Sequence, residues 1–276
     1  MGGKKYLIAT ACNQKYEDFL INHWLNSLKE NVKLDEIDIL IIDYGLTEKT
    51  VQELKKNNVN VKQAESISQE EKIFSFAHGS INNLRFLELK KYLEENNKYE
   101  QVILCDSGDI IFQTDISQLF QMFPEKIKGV YEDISPNMDV LVNDKNVANA
   151  KEIKESLKGK NLINVGFVVY PTTKFKMIVD EIFKLIKDKS AWGIETVLIN
   201  YVIYTKFPQD FYELPNIYNF IPTTSTKKYK VKNGKFYIED GTLIPVVHNA
   251  GGKNVWRPIR NFGYGNEFNQ PRTTVI

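Results

Sequence analysis

Two carboxylates, Asp106 and Asp109, stand three residues apart with only Ser107 and Gly108 between them. They follow the apolar run Val102-Ile103-Leu104, and apolar residues resume at Ile110, Ile111 and Phe112. The run has the length of a buried strand. Two ionised acids beside such a strand repel each other and lose solvation unless a cation sits between them. A hard divalent cation with oxygen ligands satisfies both acids and can also hold the phosphates of a substrate. A simpler reading competes: a polar turn in which Asp106 caps a helix and Gly108 takes a positive φ.

Other residue types could complete such a site. His248 ends the segment Pro245-Val-Val-His, and imidazole is an acceptable ligand for Mn²⁺; the alternative is a satisfied buried histidine. Lys253, Arg257 and Arg260 lie in a Gly-rich tail and could clamp phosphates or form a solvated basic face. Glu195 could contact a transferred sugar or stabilise an oxocarbenium-like centre, and it could equally be a first-turn acid favoured by a helix dipole. Asn164 could bind sugar or acceptor hydroxyls, or serve as a bulge residue beside Gly166. Thr10 and Ala11 would lie where a base and ribose sit, with Asp43 a weaker base contact. His78 reads as a loop residue that could gate the site.

The elements that must position these groups follow from apolar patterning. Strands are expected at 6–11, 37–42 and 59–61, then at the run before Asp106. Helices are expected at 16–30, from an N-cap at Thr47 through Lys56, and at 80–95. Such alternation builds a parallel sheet covered by helices, with ligands collecting at the carboxyl ends of the strands. Farther on, a helical turn is expected at 115–120 and an interrupted strand at 162–170. Helices follow at 172–187 and from Trp192-Gly-Ile-Glu195 through Tyr204, and then the segment 211–215. An Asn233-Gly234 hairpin spans 230–238. The polar stretch 132–160 reads as an excursion over the sheet edge or a mobile lid. No GxGxxG follows the first strand and no GxxxxGK[ST] occurs, so the common dinucleotide and P-loop fingerprints are excluded.

Composition narrows the class. Among 276 residues, 36 Lys and Arg balance 35 Asp and Glu, which argues against a general nucleic-acid binder. Cys12 and Cys105 are too few for a disulfide framework or a cysteine zinc site, and small apolar packing is their expected role. No apolar stretch reaches membrane-spanning length, and the first residues lack a signal-peptide core. A cytoplasmic protein with at most peripheral membrane contact is expected.

Taken together, several segments resemble glycosyltransferase family 8, nucleotide-sugar enzymes of the GT-A fold. Leu104-Cys-Asp-Ser-Gly-Asp-Ile-Ile-Phe-Gln-Thr-Asp-Ile116 resembles the family's Asp-X-Asp strand, although two residues separate the acids here. Asn164-Val-Gly166 resembles its Asn-X-Gly step. Glu195-Thr-Val-Leu-Ile-Asn200 resembles the Asp-Gln-Asp-X-Leu-Asn helix start, with Thr196 in place of Gln. His248-Asn-Ala-Gly251 with Lys253 and Trp256 resembles the His-X-X-Gly-X-X-Lys-Pro-Trp segment. Arg85 matches an arginine near the sugar diphosphate.

The resemblance implies one GT-A-like α/β domain over 1–276, with a mixed central sheet flanked by helices. Residues 1–120 would form the nucleotide-binding half and 121–276 the acceptor side with a C-terminal loop. It implies Mn²⁺ or Mg²⁺ held by Asp106, Asp109 and His248. Thr10, Ala11, Asp43, Arg85, Asp106, Ser107, Lys253 and Arg257 would surround the donor, with Glu195 and Asn164 at the reacting sugar. The implied reaction moves a sugar from a UDP-sugar to a carbohydrate or glycoconjugate acceptor with retention. A nucleotidyltransferase would need a Gly-rich basic loop after the first strand, which Thr10–Tyr16 does not supply. A non-catalytic nucleotide or sugar binder on the same fold is the remaining alternative.

Overall fold

A computed structural model describes residues 3–65, 78–134, 136–250, 259–265 and 270–271. The N-terminal half alternates as its patterning requires. Strands β1 (Tyr6–Cys12), β2 (Ile37–Asp43), β3 (Asn60–Gln63) and β4 (Gln101–Cys105) lie parallel in the order β3-β2-β1-β4. β1 and β4 are buried along their whole length, because both faces of the sheet are covered. Alternate residues serve opposite layers. Leu7, Ala9, Val102 and Leu104 pack under the helix His78–Glu95, while Tyr6, Ile8, Ile103 and Cys105 pack with Trp24 and Leu28. Thr47 caps the helix Glu48–Lys56, its hydroxyl accepting the Thr50 N–H at 3.3 Å, as expected.

The short strand β5 (Ile110–Phe112) follows the two acids, and β6 (Ile127–Gly129) rejoins the main sheet. The parallel run then ends. Strand β7 (Phe167–Pro171) pairs antiparallel with β4, β6 pairs antiparallel with β7, and β8 (Phe211–Glu213) lies parallel to β6. Antiparallel pairing places the start of β7 beside the end of β4, with Cys105 opposite Phe167. The segment before β7 therefore reaches the same sheet edge as Asp106. The hairpin β9 (Tyr229–Lys232) and β10 (Lys235–Ile238) turns at Asn233 and Gly234, both at positive φ, as the Asn-Gly pair predicts. Strand β11 (Val246–His248) pairs with β5, not with the main sheet. Strands β12 (Ile259–Asn261) and β13 (Gln270–Pro271) form a last ladder.

Several expectations need correction. The helix expected at 16–30 is composite: Glu17–Phe19 and Asn26–Asn31 are α-helical, and Leu20–Leu25 between them is a π-helix. The wider turn sends Leu20, His23, Trp24 and Leu25 all inward. The strand expected at 162–170 begins only at Phe167, because Asn164 and Gly166 belong to the irregular approach to the site. The stretch 132–160 is not a lid. It holds the helices Met138–Leu141 and Ala150–Leu157, and its Leu141, Val142, Val147, Ile153 and Leu157 enter the main core. Cys12 and Cys105 are buried free thiols, and burial pushes both well above the usual thiol range.

Candidate active site

Asp106 follows the last residue of β4, where Asn164 and Gly166 approach from β7. Its backbone N–H donates to the Gly166 carbonyl at 2.9 Å. One carboxylate oxygen is ion-paired to the Arg85 guanidinium, delivered from the middle of the helix His78–Glu95. The other lies 3.5 Å from His248 Nε2. Burial works to raise the Asp106 carboxyl, but Arg85 and His248 outweigh it and hold the group well below the usual carboxylate range. Asp109 Oδ1 lies 3.4 Å from the same His248 nitrogen. One ligand atom from each of Asp106, Asp109 and His248 lies within 4.8 Å of the others.

Local structure explains how a two-residue separation still brings both acids together. The Ser107 hydroxyl donates to the Ala11 carbonyl at 2.8 Å, pinning the turn to the end of β1. Gly108 sits so close to the Tyr16 ring that a Cβ there would stand 2.7 Å from it. Gly108 is not at positive φ and no helix begins at Asp106, so the simple capping turn is not what forms. Beyond Asp109, β5 pairs with β11 and sets His248 opposite Ile110. The Asn249 N–H donates to the Asp109 carbonyl at 2.9 Å, closing that ladder against the acid.

The donor set fits a divalent cation. His248 is buried, and its Nε2 has no hydrogen-bond partner although two carboxylate oxygens face it. The two oxygens stand 3.5 and 3.4 Å from His248 Nε2, too long for good hydrogen bonds. Between these ligands only glycine fits: a Cβ on Gly166 would meet His248 Cε1 at 2.4 Å and Asp106 Oδ2 at 2.9 Å. With the cluster in its metal-free form, burial works to lower the His248 pKa, but the two acids prevail and raise it to about 10.

The remaining expected residues divide. Glu195 is buried in the first turn of the helix Ile194–Lys206, behind Gly193 at φ 78°. Burial raises its carboxyl to about 7, against the pull of nearby Arg85, and Oε2 has no partner. Asn164 is committed within the protein. Its Oδ1 accepts from the Gly166 N–H at 3.0 Å and from Asn219 Nδ2 at 2.9 Å, and its Nδ2 donates to Glu132 Oε1 at 2.5 Å. One amide N–H is left for a substrate. Asp43 is occupied by its own turn, Oδ1 accepting the Gly45 and Leu46 N–H groups at 2.7 Å each. β1 runs one residue beyond Ala11, to Cys12; Thr10, opposite Ile41 of β2, is fully buried. Lys253 and Arg257 lie outside the described residues, as do the side chains of His78 and Arg260.

Three contributors were not singled out from the sequence. Asn219, from the 3₁₀ turn Asn216–Asn219, accepts from His248 Nδ1 at 2.9 Å. Glu132 accepts from Asn164. Asn200, legible only as part of a motif, clamps Ile163 from both sides: its Oδ1 accepts the Ile163 N–H at 2.7 Å and its Nδ2 donates to the carbonyl at 2.9 Å. No spacing signal marks Asn219 or Glu132, because their partners are distant in the chain.

A sheet of this order, with a carboxylate–carboxylate–imidazole cluster at its carboxyl edge, defines a GT-A-type glycosyltransferase. The sequence pattern of Glycosyl transferase family 8 matches residues 7–259, and the chain belongs to that family. Similar solved structures share the fold at low identity. The galactosyltransferase LgtC, solved with donor and acceptor sugar analogues, is 14% identical with a TM-score of 0.55, the match covering 89% of this chain and 87% of that one. The bifunctional glycosyltransferase WbbM is 14% identical with a TM-score of 0.56, over 91% of this chain and 46% of that one, so this chain spans about half of WbbM. GlyE of Streptococcus pneumoniae TIGR4 is 13% identical with a TM-score of 0.55, over 95% of this chain and 58% of that one. No curated protein matches the chain. Among the described residues, no helix is long and apolar enough to cross a membrane.

Proposed function

We propose that the protein is a divalent-metal-dependent glycosyltransferase that takes a sugar from a nucleotide-diphospho-sugar, with UDP as carrier, and transfers it with retention to a carbohydrate or glycoconjugate acceptor. The observation that carries the metal reading is the buried, unpartnered His248 Nε2 facing Asp106 and Asp109. The UDP carrier and the retention rest on family membership.

Asp106, Asp109 and His248 would hold Mn²⁺ or Mg²⁺, whose Lewis-acid charge serves the leaving diphosphate. Arg85 holds Asp106 ionised and aimed before any ligand arrives. Glu195, buried near Arg85, is the protein carboxyl available to the reacting sugar. Asn164 offers its remaining N–H to a sugar or acceptor hydroxyl, and Gly166 keeps the space between the ligands open.

Isothermal titration with UDP, with and without Mn²⁺, tests the reading. The expected outcome is UDP binding that needs Mn²⁺ and that disappears in Asp109→Ala, together with transfer of the sugar. UDP binding of equal strength with and without metal would sink it.

A further inference from the structure

His248 can serve a cation only if its proton sits on Nδ1 and its lone pair on Nε2. The imidazole does not choose this by itself. Four side chains form a hydrogen-bond chain running away from it: His248 Nδ1 to Asn219, Asn219 to Asn164, and Asn164 to Glu132. The direction of that chain is set by a group that cannot turn round. The Gly166 backbone N–H donates to Asn164 Oδ1 at 3.0 Å, so that atom is the amide oxygen. An oxygen there requires a donor from Asn219, so Asn219 presents Nδ2 to Asn164 and its own oxygen to His248. That oxygen only accepts, hence Nδ1 carries the hydrogen. A flipped Asn219 would set oxygen against oxygen at 2.9 Å on one side.

From this polarity we infer that Asn219 is a positioning residue for the metal centre: it fixes the His248 tautomer and ring orientation, and it takes its own orientation from the Gly166 backbone through Asn164. Asn219 is buried, with 2% of its surface exposed, so its oxygen meets His248 away from bulk solvent. Its other anchor is the 3₁₀ turn after Pro215, and the carbonyl of the following residue, Phe220, accepts the His248 backbone N–H at 2.8 Å. The turn thus holds the ring by its nitrogen and its backbone together. Outer partners of metal-bound histidines of this kind are worth about 10- to 100-fold in metal affinity.

The inference rests on the metal reading above, and the test separates the two. Mn²⁺ alone is titrated calorimetrically into wild type, Asn219→Ala and Asn219→Asp, with thermal melting of each variant without metal. Asn219→Leu, closer in volume, replaces the alanine variant if that one does not fold. Asn219→Ala should bind Mn²⁺ about 10- to 100-fold more weakly per folded molecule, while Asn219→Asp should fall between that variant and wild type, because it keeps an acceptor for Nδ1–H but sets an oxygen against Asn164 Oδ1. If both variants melt earlier but bind Mn²⁺ as wild type does, Asn219 is only structural and the inference is wrong. The same holds if Asn219→Asp loses affinity as far as Asn219→Ala. A wild type that binds no Mn²⁺ removes the metal reading itself, and this inference with it.

Discussion

Replacing Gly166 with alanine adds one methyl group among His248, Asp106 and Asn164. The backbone there is not at positive φ, so alanine brings no conformational strain of its own. The effect is steric. The new Cβ would stand 2.4 Å from His248 Cε1 and 2.9 Å from both Asp106 Oδ2 and Asn164 Oδ1. Ordinary carbon contact begins near 3.4 Å, so the ring or the strand has to give by about 1 Å. The ring has little freedom: its backbone N–H is held by Phe220 and its Nδ1 by Asn219. Overpacking of this size costs about 1–3 kcal/mol of stability. A ligand displaced by about 1 Å should weaken Mn²⁺ binding at least about 10-fold. Calorimetric titration of Mn²⁺, alongside urea unfolding without metal, reads both effects. An alanine variant that binds Mn²⁺ within twofold of wild type would show that the space between these ligands is not where the cation sits.

Two further outcomes are expected. Glu195 is raised from 4.5 to about 7 by burial, so between those values the folded chain keeps a proton that the unfolded chain releases. Stability therefore falls as pH rises from 4.5 to 7, and the penalty is complete above 7. In metal-free protein Glu195→Gln should remove that slope and gain on the order of 3 kcal/mol at pH 8; an unchanged pH profile in urea unfolding would contradict the burial argument. Asn200→Ala leaves the buried backbone N–H and carbonyl of Ile163 unpaired, which should cost on the order of 2–4 kcal/mol in the same assay. A loss below about 1 kcal/mol would mean that the clamp is replaced by water.

Much of the first half was legible because its strands are buried on both faces. Continuous apolar runs at 39–42 and 102–104, separated by helices, leave little choice but a covered parallel sheet. The acids stood out by type, although a polar capping turn competed with the cation reading until the turn's geometry was seen. The antiparallel β7 was not legible, because Phe167–Pro171 is as uniformly apolar as its parallel neighbours and carries no sign of direction. The segment 132–160 misled for a different reason. Its core residues Leu141, Val142, Val147, Ile153 and Leu157 are spread among many polar ones, and composition outweighed position. The first strand was legible to within one residue, ending at Cys12 where Ala11 was expected. Asn219 was invisible in principle: it lies 29 residues from His248 and 55 from Asn164, and only the folded chain brings them together.

The unusual separation of the two acids follows from how the site is assembled. Asp106 belongs to the main sheet, held by β4 and by the Gly166 carbonyl. Asp109 and His248 belong instead to the β5–β11 ladder, where Ile110 opposite His248 and the Asn249–Asp109 hydrogen bond fix their mutual position. The two ligands on the ladder would keep their geometry whatever the length of the link to Asp106. An added residue between the acids therefore changes only the joint between two rigid pieces. That joint is fastened by the Ser107–Ala11 hydrogen bond and by the close seat of Gly108 on Tyr16. The constraint that a bound cation would impose is thus a distance between ladder and sheet. A turn of either length can meet it, provided that Gly166 leaves the space between them empty.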